Sequence, residues 1–580
     1  MIAKNIKWVL SPADEERALY LQKQLKIHPV LCRFLVQRGV TTFDQAKRFF
    51  RPSLKSLHNP FLMKDMDLAI RRINDAIFYG ENILVYGDYD VDGTTAIATV
   101  YAFFKKFYNN IEYYVPNRYK EGYGISYDAI KWCTENNYTL IICLDCGIKA
   151  IDKIAYAKKQ GIDFIICDHH LPGPELPPAV AVLDPKRSDC NYPYIDLSGC
   201  GIGFKLVQAY TIFHRRDPQD IYDLLDLSVV SIASDIVPIT GENRILAYHG
   251  LLKLNENPRP GLKSMIELSG MKGKLSISDI VFVLGPRINA AGRMEDASDA
   301  VKLLTATELN GNADDGAAIL QKHNTARKEV DMTITQEAID LIDNDEIQKA
   351  KKSTVLYKKD WHKGVIGIVA SRLMQRFYRP TVILTSSNGM VTGSARSVKN
   401  FNIYEAISSC SDLIEQFGGH KYAAGLTIDP KNVAQFINRF EGIVDNTITD
   451  DQLIPEIVID ADICLRDVVD AFYDILKQFA PFGPVNMKPV FRAKQVVDTG
   501  HSSIVGTSHL RLSIKQPNSF SVKAIAYGMA NMYEMVQSGK PFDICFTIEE
   551  NYYRNQSSIQ LNIKDLKPSE INAPASQPIG

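Results

Sequence analysis

The chain has 580 residues, 46% hydrophobic and 23% charged, which is ordinary for a soluble globular protein. At roughly 100–200 residues per domain this length suggests three or four domains. A net charge of −1 gives no overall pull towards nucleic acid, so any such affinity must come from local patches.

No apolar run approaches the ~18 residues of a membrane-spanning helix. The opening stretch MIAKNIKWVLSPADEE lacks the apolar core of a signal peptide, so a cytoplasmic location is expected. Residues 1–80 read as helical: His28 to Val40 is amphipathic, and Met63 to Tyr79 has a helical period ending at Gly80. No chemistry is evident there.

From residue 81 strands and helices alternate. Strands are expected at 83–87, 111–115, 138–145, 162–167 and 180–183, with helices near 94–108, 127–135 and 149–160. That alternation argues for a parallel α/β sheet, whose ligands bind beyond the carboxyl ends of the strands. The first strand ends in Asp88, Asp90 and Asp92, which share one side of an extended segment. Three such charges repel unless a cation sits among them. A solvated acidic turn is the alternative; a helix-loop-helix calcium loop is excluded, because a strand precedes and the required Glu is missing. Two further strands end in Asp145 and in Asp168-His169-His170. Singly each Asp reads as a helix cap. Together they offer oxygen and imidazole without thiolate, which favours Mn²⁺ or Mg²⁺ over structural zinc. Asp235 interrupts the apolar run Val229 to Val237, costly unless paired or ligating. Cys143 and Cys146 have C-x-x-C spacing, but strand residues three apart point to opposite faces, so buried, inert thiols are expected.

Ala313 to Ile347 reads as a long connecting helix, largely solvated, with Asn324 and Arg327 on one face. Residues 351–400 carry ten Lys and Arg against one acid, Asp360, a net of +9. That asymmetry suggests a polyanion footprint. Beyond residue 455, six short β-rich runs separated by turns suggest a small barrel, after which the tail, 571–580, is expected to be disordered.

Asp168-His169-His170 is the signature of the DHH phosphoesterase superfamily. In order with Asp88–Thr95, Asp145-Cys146-Gly147 and Ser234–Pro238, it resembles the RecJ family of bacterial single-stranded-DNA exonucleases. Similar blocks follow at Asn117–Gly124, Pro286–Arg293, Trp361–Arg372, Gly393–Ser397 and Gly418–His420. The resemblance spans about residues 20–570. It implies an N-terminal helical region plus DHH catalytic domain (1–310), a connecting helix (311–350), a smaller α/β DHHA1 domain (351–450) and an OB-type barrel (451–570) for single strands. The implied activity is 5′→3′ hydrolysis of single-stranded DNA to 5′ mononucleotides, in repair and recombination, using two ions. Their implied ligands are Asp88, Asp90, Asp92, Asp145, His169 and Asp235. Asp168 would orient a histidine, and His170 would contact the scissile phosphate. Arg118, Arg287, Ser394 and Arg396 match the blocks forming a 5′-phosphate pocket, whereas Arg293 is read as structuring its loop. Single-strand-binding protein and a helicase are the expected protein partners of a monomer. The competing readings are a phosphodiesterase for cyclic dinucleotides or short oligonucleotides, and a non-catalytic DNA-binding scaffold.

Overall fold

A computed structural model describes residues 6–307, 311–553 and 556–569, so the expected disordered tail lies outside the described residues. The described residues divide into two compact units: those within 52–453 with 481–485, and those within 6–51 with 454–480 and 486–569.

In the first unit, five apolar strands form an all-parallel sheet ordered Ile111–Tyr114, Asn82–Gly87, Tyr138–Leu144, Asp163–Cys167, Ala181–Leu183. Both faces are covered, which is why these runs are almost continuously buried. The second strand in chain order lies on one side of the first and the remaining strands on the other. The crevice at this switch, beyond Gly87 and Leu144, is where a parallel sheet leaves room for a ligand.

A 33-residue helix, Gly311–Asp343, leads to a second sheet ordered Ile414–His420, Ala423–Ile428, Met390–Arg396, Thr381–Ser387, Thr354–Tyr357. Only its last pair is parallel. The long helix is not a plain solvated linker. Asn324, Arg327 and Asp331 are all buried on it, and Asp331 meets Arg372 at 2.7 Å.

The second unit is a barrel. Phe491–Asp498, Phe542–Tyr553, Gln556–Pro568, Val522–Ala526 and His509–Lys515 pair in turn, and the last closes on the first. The N-terminal residues up to Arg51 belong here, while the Met66–Tyr79 helix packs into the first unit, which differs from the expectation of one piece over 1–310. Lys7–Leu10 pairs in parallel with Glu456–Ile459. The Pro29–Gln37 helix buries Leu31, Cys32, Phe34 and Leu35, with Phe34 edge-on to Phe479 and Phe491. Burial of that apolar stripe decides where the segment goes.

Candidate active site

The rim residues converge. Asp90 caps the Val91–Lys105 helix, accepting from the Gly93 N–H at 3.0 Å. Position 93 has no room for a side chain: a Cβ would lie 2.3 Å from the Asp88 carbonyl oxygen. Asp92 is buried and accepts from the Gly199 and Cys200 N–H groups at 2.7 and 2.9 Å and from the Ser231 hydroxyl at 2.7 Å. The two N–H groups open the Gly199–Phe213 helix, whose N-terminal end favours an anion. Asp145 follows its strand with φ 58°, a left-handed conformation that Asp tolerates. Asp235 ends the Leu225–Ser234 helix, and Ile236 after it has φ 61°. For a β-branched residue that is strain of about 1–3 kcal/mol, stored beside the site.

His169 joins the carboxylates. Its Nε2 lies 3.1 Å from Asp145, 3.7 Å from Asp92 and 3.7 Å from Asp235. Nδ1 is 3.1 Å from the Leu197 carbonyl oxygen. A carbonyl only accepts, so Nδ1 donates to it. Burial holds the imidazole below its usual pKa, which leaves a neutral ring with an Nε2 lone pair aimed at three carboxylates. The donor atoms of Asp92, His169 and Asp235 lie within 4.8 Å of one another, as do those of Asp88, Asp90 and Asp145. Burial, then Asp90, pushes the Asp88 carboxyl well above the usual range; burial, then Asp92, does the same for Asp145. Asp90 is raised for the reasons that raise Asp145, and Asp235 is pushed up to about 9. Buried oxygens of Asp88 and Asp235 have no hydrogen-bond partner. Crowded buried carboxyls whose charge is disfavoured without a cation, an imidazole lone pair and orphaned oxygens fit divalent cations, and an O/N donor set suits Mn²⁺ or Mg²⁺.

Asp168 does not face this cluster. It accepts from the N–H groups of Ile148, His169 and His170 and from His170 Nδ1 at 2.8 Å. Burial opposes its ionisation, but these hydrogen bonds outweigh burial and hold it below the usual range. Burial likewise opposes the charge on His170, yet Asp168 outweighs it and raises the imidazole. The ring is half-exposed, with Nε2 3.4 Å from the Tyr123 hydroxyl.

A cavity of about 560 Å³ lies between the parallel sheet's loops and the second sheet. Tyr89, Arg118, Tyr123 and Arg293 line one wall; Lys363, Ser394 and Arg396 line the other. Arg118 stacks on Tyr89, 5.1 Å from the ring centroid, between Asp88 and Asp90 in sequence. Burial, then Arg118, brings the Arg293 guanidinium down to about 10. The structure does not bring Arg287 here. It donates to Gln321 at 2.8 Å and to the Val283 carbonyl at 2.6 Å, bracing the long helix.

The sequence reading left Lys363 and Tyr123 unassigned and gave Arg293 to its loop, although each sits in a block already singled out and lines the cavity. The basic segment is also less free than its charge count suggests. Lys351, Lys352, Lys358, Arg372 and Arg376 pair with Glu441, Asp450, Glu337, Asp331 and Asp343. Of its ten cations, Lys363 and Arg396 line the cavity. Cys143 and Cys146 do come together, Sγ to Sγ 3.4 Å, because Asp145 turns the chain after the strand ends. Both stay buried.

The description "DHH family, N-terminal domain" matches residues 82–232, "DHHA1 domain" matches 350–446 and "RecJ OB domain" matches 459–565. The chain is 35% identical over 574 residues to the single-stranded-DNA-specific exonuclease RecJ of Bacillus subtilis, covering 98% of this chain and 72% of that one. It is 31% identical to the RecJ of Salmonella typhimurium, covering 93% and 96%. Among solved structures it resembles RecJ of Thermus thermophilus in complex with Mn²⁺ (TM-score 0.84, 24% identity, covering 98% and 80%). The Mg²⁺ complex of that protein gives 0.77 at 23% identity, covering 97% and 79%.

Proposed function

The chain belongs to the RecJ family of single-stranded-DNA-specific exonucleases, and from that premise we propose that it removes 5′ mononucleotides stepwise from the 5′ end of single-stranded DNA. The carrying observation is the meeting of an acidic, metal-fitting cluster with an arginine-lined cavity on one rim. Asp88, Asp90, Asp92, Asp145, His169 and Asp235 would hold Mn²⁺ or Mg²⁺. When bound, two such ions activate water and neutralise charge on the scissile phosphate.

The protein's own groups do the rest. Arg118, Ser394 and Arg396, with Arg293 and Lys363, offer a terminal phosphate cationic N–H donors and a hydroxyl in one cavity, which suits a doubly charged end group. Arg118 on Tyr89 ties that end to the acidic loop. His170, whose imidazole Asp168 raises, is placed to donate from Nε2 to a phosphate oxygen when protonated. Hydrogen bonds from Gly199, Cys200 and Ser231 fix the Asp92 carboxylate, so the cluster needs no rearrangement when substrate arrives.

Among the described residues no helix is long and apolar enough to cross a membrane. We further propose that it acts as a monomer, contacts single-strand-binding protein and a helicase, and serves in repair; sedimentation with and without single-strand-binding protein tests the monomer and the first contact. The central test is digestion of end-labelled single- and double-stranded DNA, with and without a 5′ phosphate, in Mn²⁺. Immediate release of a 5′ label as mononucleotide from the phosphorylated single strand is expected. Release of a 3′ label first would overturn the polarity. Equal rates on phosphorylated and hydroxyl ends would remove the pocket from the mechanism.

A further inference from the structure

Between the acidic loop and the arginine cavity runs a train of backbone contacts made at glycines. A Cβ on Gly292 would lie 2.7 Å from the Tyr89 carbonyl oxygen, inside the loop that carries Asp88 and Asp90. The next residue, Arg293, donates through its guanidinium to the Gly364 carbonyl at 2.9 Å. Its own carbonyl accepts from the Tyr119 hydroxyl. A Cβ on Gly364 would fall 2.6 Å from that Arg293 oxygen and 2.8 Å from the Tyr119 oxygen. His362 closes the group: Nδ1 accepts from the Gly364 N–H at 3.1 Å, and its ring stands edge-on to Tyr119. Further along, a Cβ on Gly367 would meet Ser394 Oγ at 3.0 Å and an Arg396 nitrogen at 3.3 Å.

The approaches at Gly292 and Gly364, both against backbone oxygens, have no slack, and Gly367 faces the ends of the Ser394 and Arg396 side chains. Cβ atoms essentially never sit closer than about 3 Å to another heavy atom, and interiors packed this tightly transmit displacement instead of absorbing it. The loop at Tyr89 therefore bears on Gly292, Arg293 bears on Gly364, and Gly367 bears on Ser394 and Arg396. The train thus runs from the loop that carries Asp88 and Asp90 to the Ser394 and Arg396 side of the cavity.

We infer that the Gly292–Arg293–Gly364–Gly367 train, clasped by Tyr119, is a spacer that decides how many nucleotides leave per cut. It rests on the reading above, in which the cavity holds the 5′ phosphate and the acidic cluster marks the cut. One end of the gap is then the terminal phosphate and the other the scissile phosphate. On that reading the spacer limits the gap to one nucleoside unit, and widening it would admit a second phosphodiester before the cut. Tyr119 and Gly364 are positioning residues: the spacer acts through the two walls.

Two variants change the gap by different routes. Tyr119→Phe removes the hydroxyl that ties Arg293 and keeps the ring. Gly364→Ala inserts a methyl where the Arg293 carbonyl and Tyr119 oxygen already sit. Thermal melting checks that each folds. Three readouts follow: product length from 5′-phosphorylated single-stranded DNA, hydrolysis of bis(p-nitrophenyl) phosphate in Mn²⁺, and binding of 5′-phosphate against 5′-hydroxyl oligonucleotides in chelator. The small diester needs the acidic cluster alone; binding in chelator needs the cavity alone. For Tyr119→Phe, mononucleotide release should fall about tenfold relative to small-diester hydrolysis, with dinucleotide emerging and the 5′-phosphate preference in binding retained. Gly364→Ala should show a larger dinucleotide share. If both variants fold and release only mononucleotides at the wild-type ratio to small-diester hydrolysis, the spacer is refuted. Loss of small-diester hydrolysis in step with DNA digestion would also refute it, because the contacts would then merely hold the acidic loop. A wild-type protein that releases no 5′ mononucleotide fails the preceding reading itself, whatever the variants do.

Discussion

His169 shows what one side chain can report. Its Nδ1 donates to the Leu197 carbonyl, so the Nε2 lone pair faces Asp92, Asp145 and Asp235. Replacing His169 or Asp145 by Ala should reduce digestion of single-stranded DNA at least about a hundredfold, measured by release of a 5′ label in Mn²⁺. The carboxylates also set a pH dependence. Asp235 has its folded pKa raised to about 9, and Asp88 and Asp145 are raised as well. An acid raised on folding contributes stability that is fully present below its unfolded pKa, about 4, and lost as pH rises through the folded value. In chelator the melting temperature should fall across that window. Mn²⁺ should restore it, by an increment that grows with pH. A melting temperature in chelator that climbs over the same window would contradict the buried cluster. Asp168 acts on protonation in the opposite direction, raising His170. Asp168→Asn should move the alkaline limb of the kcat/KM profile to lower pH, because His170 would lose its proton sooner.

Helix ends and loops, not strand interiors, place the site. The Gly199–Phe213 helix presents its first N–H groups to Asp92 and passes so close to Asp145 that a Cβ at Gly199 would lie 2.6 Å from the Asp145 Cβ. Gly199→Ala should therefore push Asp145 out of register and lower kcat about a hundredfold with a small loss of melting temperature. Equal losses of activity and fold would mean that the helix, not the carboxylate, had moved. The basic segment 351–400 teaches the complementary lesson. Its charge excess is real in sequence, but carboxylates from the long helix and from the Val433–Thr447 helix neutralise much of it. Of the cations outside these pairs, Lys363 and Arg396 line the cavity.

At the scale of the molecule, residues near the start of the chain complete a unit built from those beyond residue 453. Lys7–Leu10 takes Glu456–Ile459 as its pairing partner, and the Pro29–Gln37 helix covers Phe479 and Phe491. A fragment ending at residue 453 would thus leave Leu31, Phe34 and Leu35 without their cover. Limited proteolysis should cut such a fragment quickly within residues 2–51, while the full chain resists there. A fragment spanning 52–453 should be the more soluble of the two. Equal resistance of both fragments would show that the N-terminal helices are stable without the barrel.

The acidic strand ends and the parallel sheet were legible in the sequence because both are local. A β-branched run followed by Asp at alternate positions carries its meaning within a dozen residues, and the blocks around Asp88, Asp145, Asp168 and Asp235 carried the family resemblance. The tertiary structure alone decided which side chains meet. Asp92 and Ser231, or Arg293 and Gly364, become neighbours only once non-local packing has been made, and no periodicity encodes that. For the same reason Arg287 turned to Gln321 instead of the cavity, Asp331 absorbed the charge of Arg372, and the N-terminal helices joined the far end of the chain. Charge, burial and register between distant segments are properties of the packed molecule, whereas the chemistry of each strand end is written in its own residues.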